Sequence, residues 1–299
     1  MSTVEPSPEP DVFDLPAFNP RQTRQAIRRG IIHTAISAVA ITLIVLFLID
    51  ALSGVIQDRS GRGDHFSSVV GTGFVVAHAD YRFDNPPSCC NTGLTSMSVI
   101  LEATPRTPDT SGGTSNLEVH QNLLGHLTDR PSLTQTPLIQ QLAYLHDDGE
   151  STATAKAQAH KLMAALPQHV AATAVIDFAN PLTQQEFTAF QRKFHLADDG
   201  AILLSAAGGQ NGEGMLPVSW PGTNLAGYQH WVDGLHNGDR GNLDALSLNL
   251  TNLRHVAQTA HIYGYVVDAA PLTTLRKALD DPTTHTVRLA QAAFDLSTP

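Results

Sequence analysis

Residues 175–183, VIDFANPLT, and residues 266–273, VVDAAPLT, repeat one pattern in the C-terminal half of this chain. Each stretch opens with two β-branched residues that favour strands, Val-Ile or Val-Val, carries an Asp, and ends in Pro-Leu-Thr. In the first copy Thr183 and Glu186 have the three-residue spacing of a capping box, which marks the first turn of a helix. The repeated pattern therefore predicts, twice, a strand that is followed directly by a helix.

The sequence after each copy supports a helix and then another strand. Apolar side chains recur on one face of each predicted helix, and Asp-Asp-Pro at residues 280–282 ends the second one. The apolar positions are Phe187, Phe190 and Phe194 in the first helix, and Leu275 and Leu279 in the second. Strand candidates follow at residues 201–205 and 286–294. Strand–helix–strand twice over predicts a ferredoxin-like split βαβ module.

The remaining elements complete a predicted α+β fold. Residues 206–260, between the two copies, are expected to form a helical insertion with helices at 225–235 and 243–260. Nearer the N-terminus, residues 66–83 and 94–103 are rich in strand-forming residues and predict a β-rich layer. Helices are predicted at 138–145 and 153–166. The expected order is a single transmembrane helix, the extracytoplasmic β-rich layer and the ferredoxin-like module.

The predicted membrane span is residues 31–49, IIHTAISAVAITLIVLFLI, which contain no Asp, Glu, Lys or Arg. As a helix this stretch is about 28 Å long, close to the hydrocarbon thickness of a bilayer, roughly 30 Å. More arginines precede the span than follow it, which predicts a cytoplasmic N-terminus and an extracytoplasmic C-terminal domain in the cell membrane. They are Arg21, Arg24, Arg28 and Arg29 before it, and Arg59 and Arg62 after it. The alternative is a cleaved signal peptide with Ala51 and Ser53 at the cleavage site, although the apolar run is longer than a signal core.

The sequence divides into five predicted segments: a disordered cytoplasmic tail at 1–30, the transmembrane helix at 31–53, the β-rich segment at 64–104, a linker with helices at 105–166, and the extracytoplasmic α+β domain at 167–299. The first twenty residues hold five prolines and too few apolar residues to fold alone. Four apolar residues within them are the predicted partner-binding motif, which would order on a partner: Val12, Phe13, Leu15 and Phe18. An inert tail is the alternative.

The net charge and the sequence motifs argue against several classes of function. The net charge is −10, and beyond residue 30 the basic residues are scattered among more numerous acids, which argues against nucleic-acid binding. The sequence contains none of the hydrolase, zinc-protease, nucleotide-loop or EF-hand motifs. We therefore predict no catalytic, cofactor-binding or metal-ligating residue, no cofactor, and no enzymatic activity. Residues 147–150, with three acids, suggest either a weak Ca²⁺ site or a solvated helix end.

The histidines and cysteines leave alternatives open. Several of the 14 histidines form pairs six residues apart, which face different sides of a helix and so do not preform a metal site. They are His120 with His126, His230 with His236, and His255 with His261. Solvated or hydrogen-bonded structural histidines are the favoured interpretation, and pH sensing or metal binding are the alternatives. Cys89 and Cys90 are adjacent, and Cα atoms about 3.8 Å apart are closer than a relaxed disulfide requires. They are two small apolar thiols, a strained redox bridge or an intermolecular link.

Three stretches of the chain resemble bacterial membrane-anchored sigma-factor regulators, with the C-terminal-type extracytoplasmic domain of anti-sigma factors. They are residues 21–30, RQTRQAIRRG, which run into the membrane span; residues 174–183 with the Phe-bearing helix that follows; and residues 262–282, from IYGYVV to Asp-Pro. The resemblance implies an outer domain that senses envelope state and a cytoplasmic part that restrains a sigma factor. A tail of about 30 residues is too short for an independent sigma-binding domain. Either residues 12–18 fold on the partner, or another subunit provides the restraint, or the role has been lost.

These observations predict a single-pass membrane regulator that binds or senses an envelope signal and transmits it to the short tail. The expected partners are the lipid bilayer and either a cytoplasmic sigma factor or a membrane partner protein. Two alternatives stand beside this function. One is an anchored extracytoplasmic binding or scaffold protein with an inert tail. The other is a membrane-tethered hydrolase, which requires a pocket where carboxyl groups converge with a histidine.

Overall fold

The structure is a computed structural model. It describes residues 20–59, 61–83, 88–92, 96–107, 113–122, 125–128, 133–146, 150–167, 169–207 and 216–294; within these, the side chains of residues 22–23, 26, 50, 52–59 and 88–92 are excepted. The chain divides into two compact units, residues 1–53 and residues 54–299. The predicted motif of Val12, Phe13, Leu15 and Phe18 lies outside the described residues, as do Asp147 and Asp148.

The first unit contains most of one long helix, α1, Pro20–Arg59. Its segment Ile27–Ile49 is long and apolar enough to cross a membrane, and its side chains are not buried within the protein. Thr34 and Thr42 donate hydrogen bonds to the carbonyls of Gly30 and Ala38, both at 2.9 Å, so these hydroxyls are satisfied within the helix. The predicted apolar helix is confirmed, and a signal sequence near the N-terminus can meet the same criterion of length and composition.

The second unit begins with helical structure where the sequence suggested strands. α2 spans Arg62–Phe66, a π-helical turn spans Ser67–Gly71 and α3 spans Thr72–Ala77; the only strand described before residue 84 is β1, Tyr81–Phe83. The strand prediction for residues 66–77 is therefore wrong. The buried positions include Phe66, Val69, Val70 and Phe74, which recur every three to four residues, so the helical period outweighs the β propensity of Val and Phe.

An antiparallel sheet follows, with β3, Ser96–Pro105, at its centre. β1 and β2 (Ser88–Thr92) pair with opposite halves of β3, and β4 (Ser115–Asn122) pairs along most of its length. Met97, Val99 and Leu101 are buried, because alternate residues of a strand face the same side of the sheet. Two helices then connect this sheet to the next: α4, Pro137–Leu142, and α5, Thr152–Ala164.

The second antiparallel sheet holds both copies of the repeated pattern, with strand order β7-β6-β8-β5-β9. The first copy gives β5, Val170–Leu182, then α6, Gln184–Phe194, and β6, Ala201–Leu203. The second copy gives β8, Ile262–Pro271, then α10, Leu272–Leu279, and β9, Thr284–Phe294. The prediction that each copy forms a strand followed directly by a helix is thus confirmed.

The two copies start their helices differently. Thr183 caps α6 through the predicted capping box, since its backbone N–H donates to Glu186 Oε2 at 2.8 Å. α10 instead begins at Leu272 without a side-chain cap, and Thr273 lies inside its first turn.

The insertion between the copies differs from its prediction in two ways. It contains a short strand, β7, Ser219–Pro221, beside α7, Leu225–Asp233. The helix expected at 243–260 is divided into α8, Arg240–Ala245, and α9, Leu250–Thr259. Asn249 causes the division because its side chain accepts hydrogen bonds from Thr251 N and Asn252 N, which starts a new helix.

Alternate residues of β5 face two apolar clusters. Ala172, Ala174, Ile176 and Phe178 belong to the main cluster, which includes residues of α6, α10 and both sheets. Val175 faces the smaller cluster formed with residues of α4. Both faces of this sheet are therefore covered by helices, which explains why β5 is apolar almost throughout.

Candidate functional site

Charged side chains converge at a cavity of about 270 Å³ in the second unit. It lies beside β1, the end of β3 and the start of β6, and we name it the Arg106 cleft. Its polar lining residues are His78, Tyr81, Arg82, Arg106, Asp199 and Ser219. Charged groups in a protein interior require partners, so the contacts behind this lining decide what the cleft can do.

The Asp268 carboxylate holds both arginines of the Arg106 cleft in place. Its Oδ2 accepts a hydrogen bond from Arg106 Nη1 and another from Arg82 Nη2 at 2.8 Å. The Arg106 side chain is only 3% exposed, and its Nη1 also donates to the Asp199 carbonyl at 3.1 Å. The other oxygen of Asp268, Oδ1, and the Nε of Arg106 are buried without a hydrogen-bond partner among the described residues. Asp268 therefore holds both arginines in place. The buried Nε–H of Arg106 has no acceptor among the described residues.

A β-bulge in β8 places Asp268 against these arginines. Asp268 and Ala269 together lie opposite Thr173 of β5, and Ala269 takes the left-handed conformation with φ +46°. Such a bulge turns a side chain away from the direction that a regular strand would give it. Thr173 in turn donates from Oγ1 to the Arg106 carbonyl at 3.2 Å, so β5 and β8 together position the guanidinium.

His78 and Asp80 form the other polar part of the site, in the turn between α3 and β1. Asp80 is fully buried and accepts a hydrogen bond from Thr136 Oγ1 at 3.0 Å. His78 Nδ1 lies 3.9 Å from Asp80 Oδ1, which is too long for a hydrogen bond, and neither atom has another partner in the described part of the chain. The His78 ring packs on Phe74 at a centroid distance of 4.5 Å.

Burial shifts these two groups in opposite directions. It lowers the pKa of His78 from 6.5 to about 4, because a buried imidazole is destabilised as a cation. It raises the pKa of Asp80 from 3.8 to about 6, against the smaller opposing effects of the Thr136 hydrogen bond and the Arg106 charge. At neutral pH His78 is therefore a neutral imidazole, and it lines the cleft together with Arg82, Arg106 and Asp199.

This arrangement suits the binding of a small polar molecule. Guanidinium groups donate to carboxylate and carbonyl oxygens in a fixed planar geometry, and the neutral His78 can accept or donate one hydrogen bond. The Ser219 hydroxyl lines the cleft but donates to the Val76 carbonyl at 2.8 Å, so its proton is already engaged. The cleft thus offers binding groups more clearly than a nucleophile with its base.

The residues of the Arg106 cleft were not predicted from the sequence. They come from segments up to about 190 residues apart, so their proximity depends on the tertiary fold. One signal was available: each copy of the repeat carries an Asp in an otherwise apolar strand, where burial requires a partner. The first of these, Asp177, is fully buried and accepts a hydrogen bond from the His146 backbone N–H at 3.2 Å.

The cysteines and histidine pairs discussed from the sequence do not form the Arg106 cleft. Cys89 and Cys90 lie in β2, which shifts register between Cys89 and Asn91, and their side chains are not described. The pair His230 and His236 does not converge on the cleft, although His236 lies near His65 and Asp239.

Comparison with protein-family models, with curated proteins and with solved structures gives no match to this chain. Its function is therefore inferred from its own residues.

Proposed function

We propose that this protein is a single-pass membrane regulator whose extracytoplasmic domain binds a small polar ligand in the Arg106 cleft and transmits its state to the cytoplasmic tail. The observation that carries the proposal is the buried Arg106, which Asp268 fixes and whose guanidinium-bearing side chain lines a cavity. A ligand carrying a carboxylate or carbonyl oxygen complements such a donor. The small cavity selects a molecule of about the size of an amino acid.

The topology of the proposal rests on the apolar helix and its flanking charges. Segment Ile27–Ile49 matches the thickness of a bilayer, and the arginine excess before it favours a cytoplasmic N-terminus. The second unit then lies outside, where an envelope signal is accessible.

The proposed fold of the sensing domain is the ferredoxin-like split βαβ module. Apart from β7 and the helical insertion, the chain runs β5-α6-β6-β8-α10-β9, the succession of strands and helices of that fold. Each strand–helix–strand half also has one strand of the other half between its own two strands. This supports the resemblance to anti-sigma-type extracytoplasmic domains, and a sigma factor or its membrane partner is the proposed recipient of the signal.

Ligand binding would shift the equilibrium between two conformational states of the protein. Differential binding of about 1–3 kcal/mol between two states is enough for a regulatory response. The transmitted change would be a different tilt or association of the membrane helix, which the tail reports through residues 12–18.

Deleting residues 1–20 from the full-length protein tests the regulatory function. We expect transcripts of an envelope-stress regulon to change in the deletion strain. Arg82→Gln, at the rim of the Arg106 cleft, should change the same transcripts, whereas Arg192→Gln, exposed on α6, should not. Unchanged transcripts in the tail deletion would argue for the scaffold function, in which envelope proteins copurify with the outer domain whether or not the tail is present.

A membrane-tethered hydrolase is a second candidate because His78 and Asp80 approach each other at the cleft. Asp80 has a pKa raised to about 6 but is fully buried, so in such a mechanism it would orient His78, which lines the cleft and would contact the substrate. Hydrolysis of ester or glycoside substrates by the full-length protein, lost in Asp80→Asn, would favour this function over binding.

A further inference from the structure

A second cluster, distinct from the Arg106 cleft, has the composition of a transition-metal site. His65 of α2 lies near His236, which precedes the 3₁₀ turn Asn237–Asp239, and near Asp239, the last residue of that turn. One potential ligand atom from each side chain lies within 4.8 Å of the other two. We name these three residues the His65 cluster.

The distances within the His65 cluster already approach those of a coordination sphere. His65 Nε2 is 2.9 Å from Asp239 Oδ1, and His236 Nδ1 is 3.8 Å from Asp239 Oδ2. Ligand atoms around a tetrahedral Zn²⁺, each about 2.0–2.2 Å from the ion, are roughly 3.4 Å apart. The two observed distances involve different oxygens of Asp239, and one ligand atom from each residue lies within 4.8 Å of the others, so side-chain movements of about 1 Å would bring the three to tetrahedral spacing.

The carboxylate of the His65 cluster is nearly buried and hydrogen-bonded, whereas both imidazoles are exposed to solvent. The Asp239 side chain is 11% exposed, and its Oδ2 accepts the His236 backbone N–H at 2.7 Å. The His65 and His236 side chains are 41% and 74% exposed. A nearly buried carboxylate beside two solvent-exposed histidines gives a metal ion access from solvent.

The backbone on both sides of the His65 cluster is also fixed. α2 starts after Gly61, which adopts φ +62°, and the His65 N–H donates to the Gly61 carbonyl at 3.0 Å. The next turn is tied to α7 because Trp231 Nε1 donates to the Ser68 carbonyl at 2.8 Å. The approach of His65 to residues 236–239 is therefore a property of the packed unit.

We propose that the His65 cluster binds a divalent transition metal, with Zn²⁺ as the preferred ion. Two imidazoles and one carboxylate match Zn²⁺ better than Mg²⁺ or Ca²⁺, which prefer oxygen ligands. Three protein ligands leave a fourth position for water or for a group from another molecule. The ion would link α2, the segment that directly follows α1 in sequence, to the turn after α7. This site departs from the expectation of no metal, because His65 is 171 residues from His236 in sequence and no spacing rule connects them.

Titration of the full-length protein in detergent, after removal of metal with a chelator, tests the site. We expect one equivalent of Zn²⁺ per chain by calorimetry, and Co²⁺ should give the visible absorption of a tetrahedral complex. His65→Ala, His236→Ala and Asp239→Asn should each weaken Zn²⁺ binding by at least about tenfold. Asp239→Asn keeps an acceptor for the His236 N–H, and both histidines are surface residues, so these variants should remain folded.

The control is His160→Ala, which removes another exposed histidine paired with a carboxylate, at 2.9 Å from Asp280. Its Zn²⁺ affinity should equal that of the unmodified protein, as should that of Arg82→Gln in the Arg106 cleft. Lack of stoichiometric binding overturns the site, and so does an equal loss of affinity in His65→Ala and His160→Ala. A tail deletion without effect on transcription would overturn the proposed regulatory function and leave this result unchanged.

Discussion

At His78 and Asp80, two neighbouring side chains make opposite contributions to stability as pH changes. Asp80 binds its proton more tightly in the folded state, where its pKa is about 6, than unfolded, where it is 3.8. Its contribution to the free energy of unfolding therefore falls as pH rises from about 4 to about 6. His78 binds its proton less tightly when folded, at about 4 instead of 6.5, so its contribution rises between these values. The two effects largely cancel in the unmodified protein.

Removing either group should expose the effect of the other. Relative to the unmodified protein, His78→Gln should lose stability as pH rises from 4 to 6, by up to roughly 3 kcal/mol at 1.36 kcal/mol per pKa unit. Asp80→Asn should gain stability from pH 4 to 6.5. Denaturant unfolding of the full-length protein, followed by fluorescence of Trp220 and Trp231 in the second unit, measures both slopes. Identical slopes in all three proteins would contradict the burial of this pair.

Asp268 should be the carboxylate whose loss costs most stability at the Arg106 cleft. Asp268→Ala leaves Arg106 buried without its ionic partner, and breaking a buried pair in this way costs about 3–5 kcal/mol. Asp280→Ala is the matched control, since Asp280 is 66% exposed in its pair with His160 and should change stability by less than about 0.5 kcal/mol. Equal free energies of unfolding for the two variants would show that Arg106 is solvated.

At the scale of elements, local signals predicted the repeated strand–helix pattern because each signal acts within a few residues. The capping box of α6 needs only Thr183 and Glu186, and the phenylalanines of α6 need only the helical period. The prediction failed at residues 66–77, where the β propensity of Val and Phe conflicted with a helical period of burial. Local signals could not predict the Arg106 cleft or the His65 cluster. The residues of each site come from distant parts of the sequence and meet only when their elements pack together: β1, β3 and β8 for the cleft, and α2 and the insertion for the cluster.

The two threonines of the repeat provide a test at this scale. Thr183→Ala removes the cap of α6 and should lower the free energy of unfolding by about 1 kcal/mol. Thr273→Ala changes the equivalent residue of the second copy, which is exposed inside the first turn of α10, where Ala is the better helix former. Its stability should stay the same or rise slightly. Equal losses in the two variants would mean that the threonines act through something other than the cap.

At the scale of the whole molecule, the proposal depends on α1 being retained in a bilayer. Val39 and Leu43 lie in the middle of segment Ile27–Ile49, and Arg at the centre of a membrane helix costs about 2.5–3.5 kcal/mol per residue. The double variant Val39→Arg/Leu43→Arg should therefore move the chain from the membrane pellet to the soluble fraction. The control is the double variant Ala51→Arg/Ser53→Arg, which adds the same charge outside that segment. It should leave the protein in the membrane pellet.

Orientation and retention can be read in the same cells through tags at both ends of the chain. With a cytoplasmic N-terminus, protease added to intact spheroplasts should digest the second unit and its C-terminal tag, while the N-terminal tag survives on a membrane fragment. A cleaved signal peptide would instead leave mature protein without the N-terminal tag and without dependence on Val39 or Leu43 for membrane retention. Protection of the C-terminal tag until the cells are lysed would place the Arg106 cleft in the cytoplasm, where it could not meet an envelope signal.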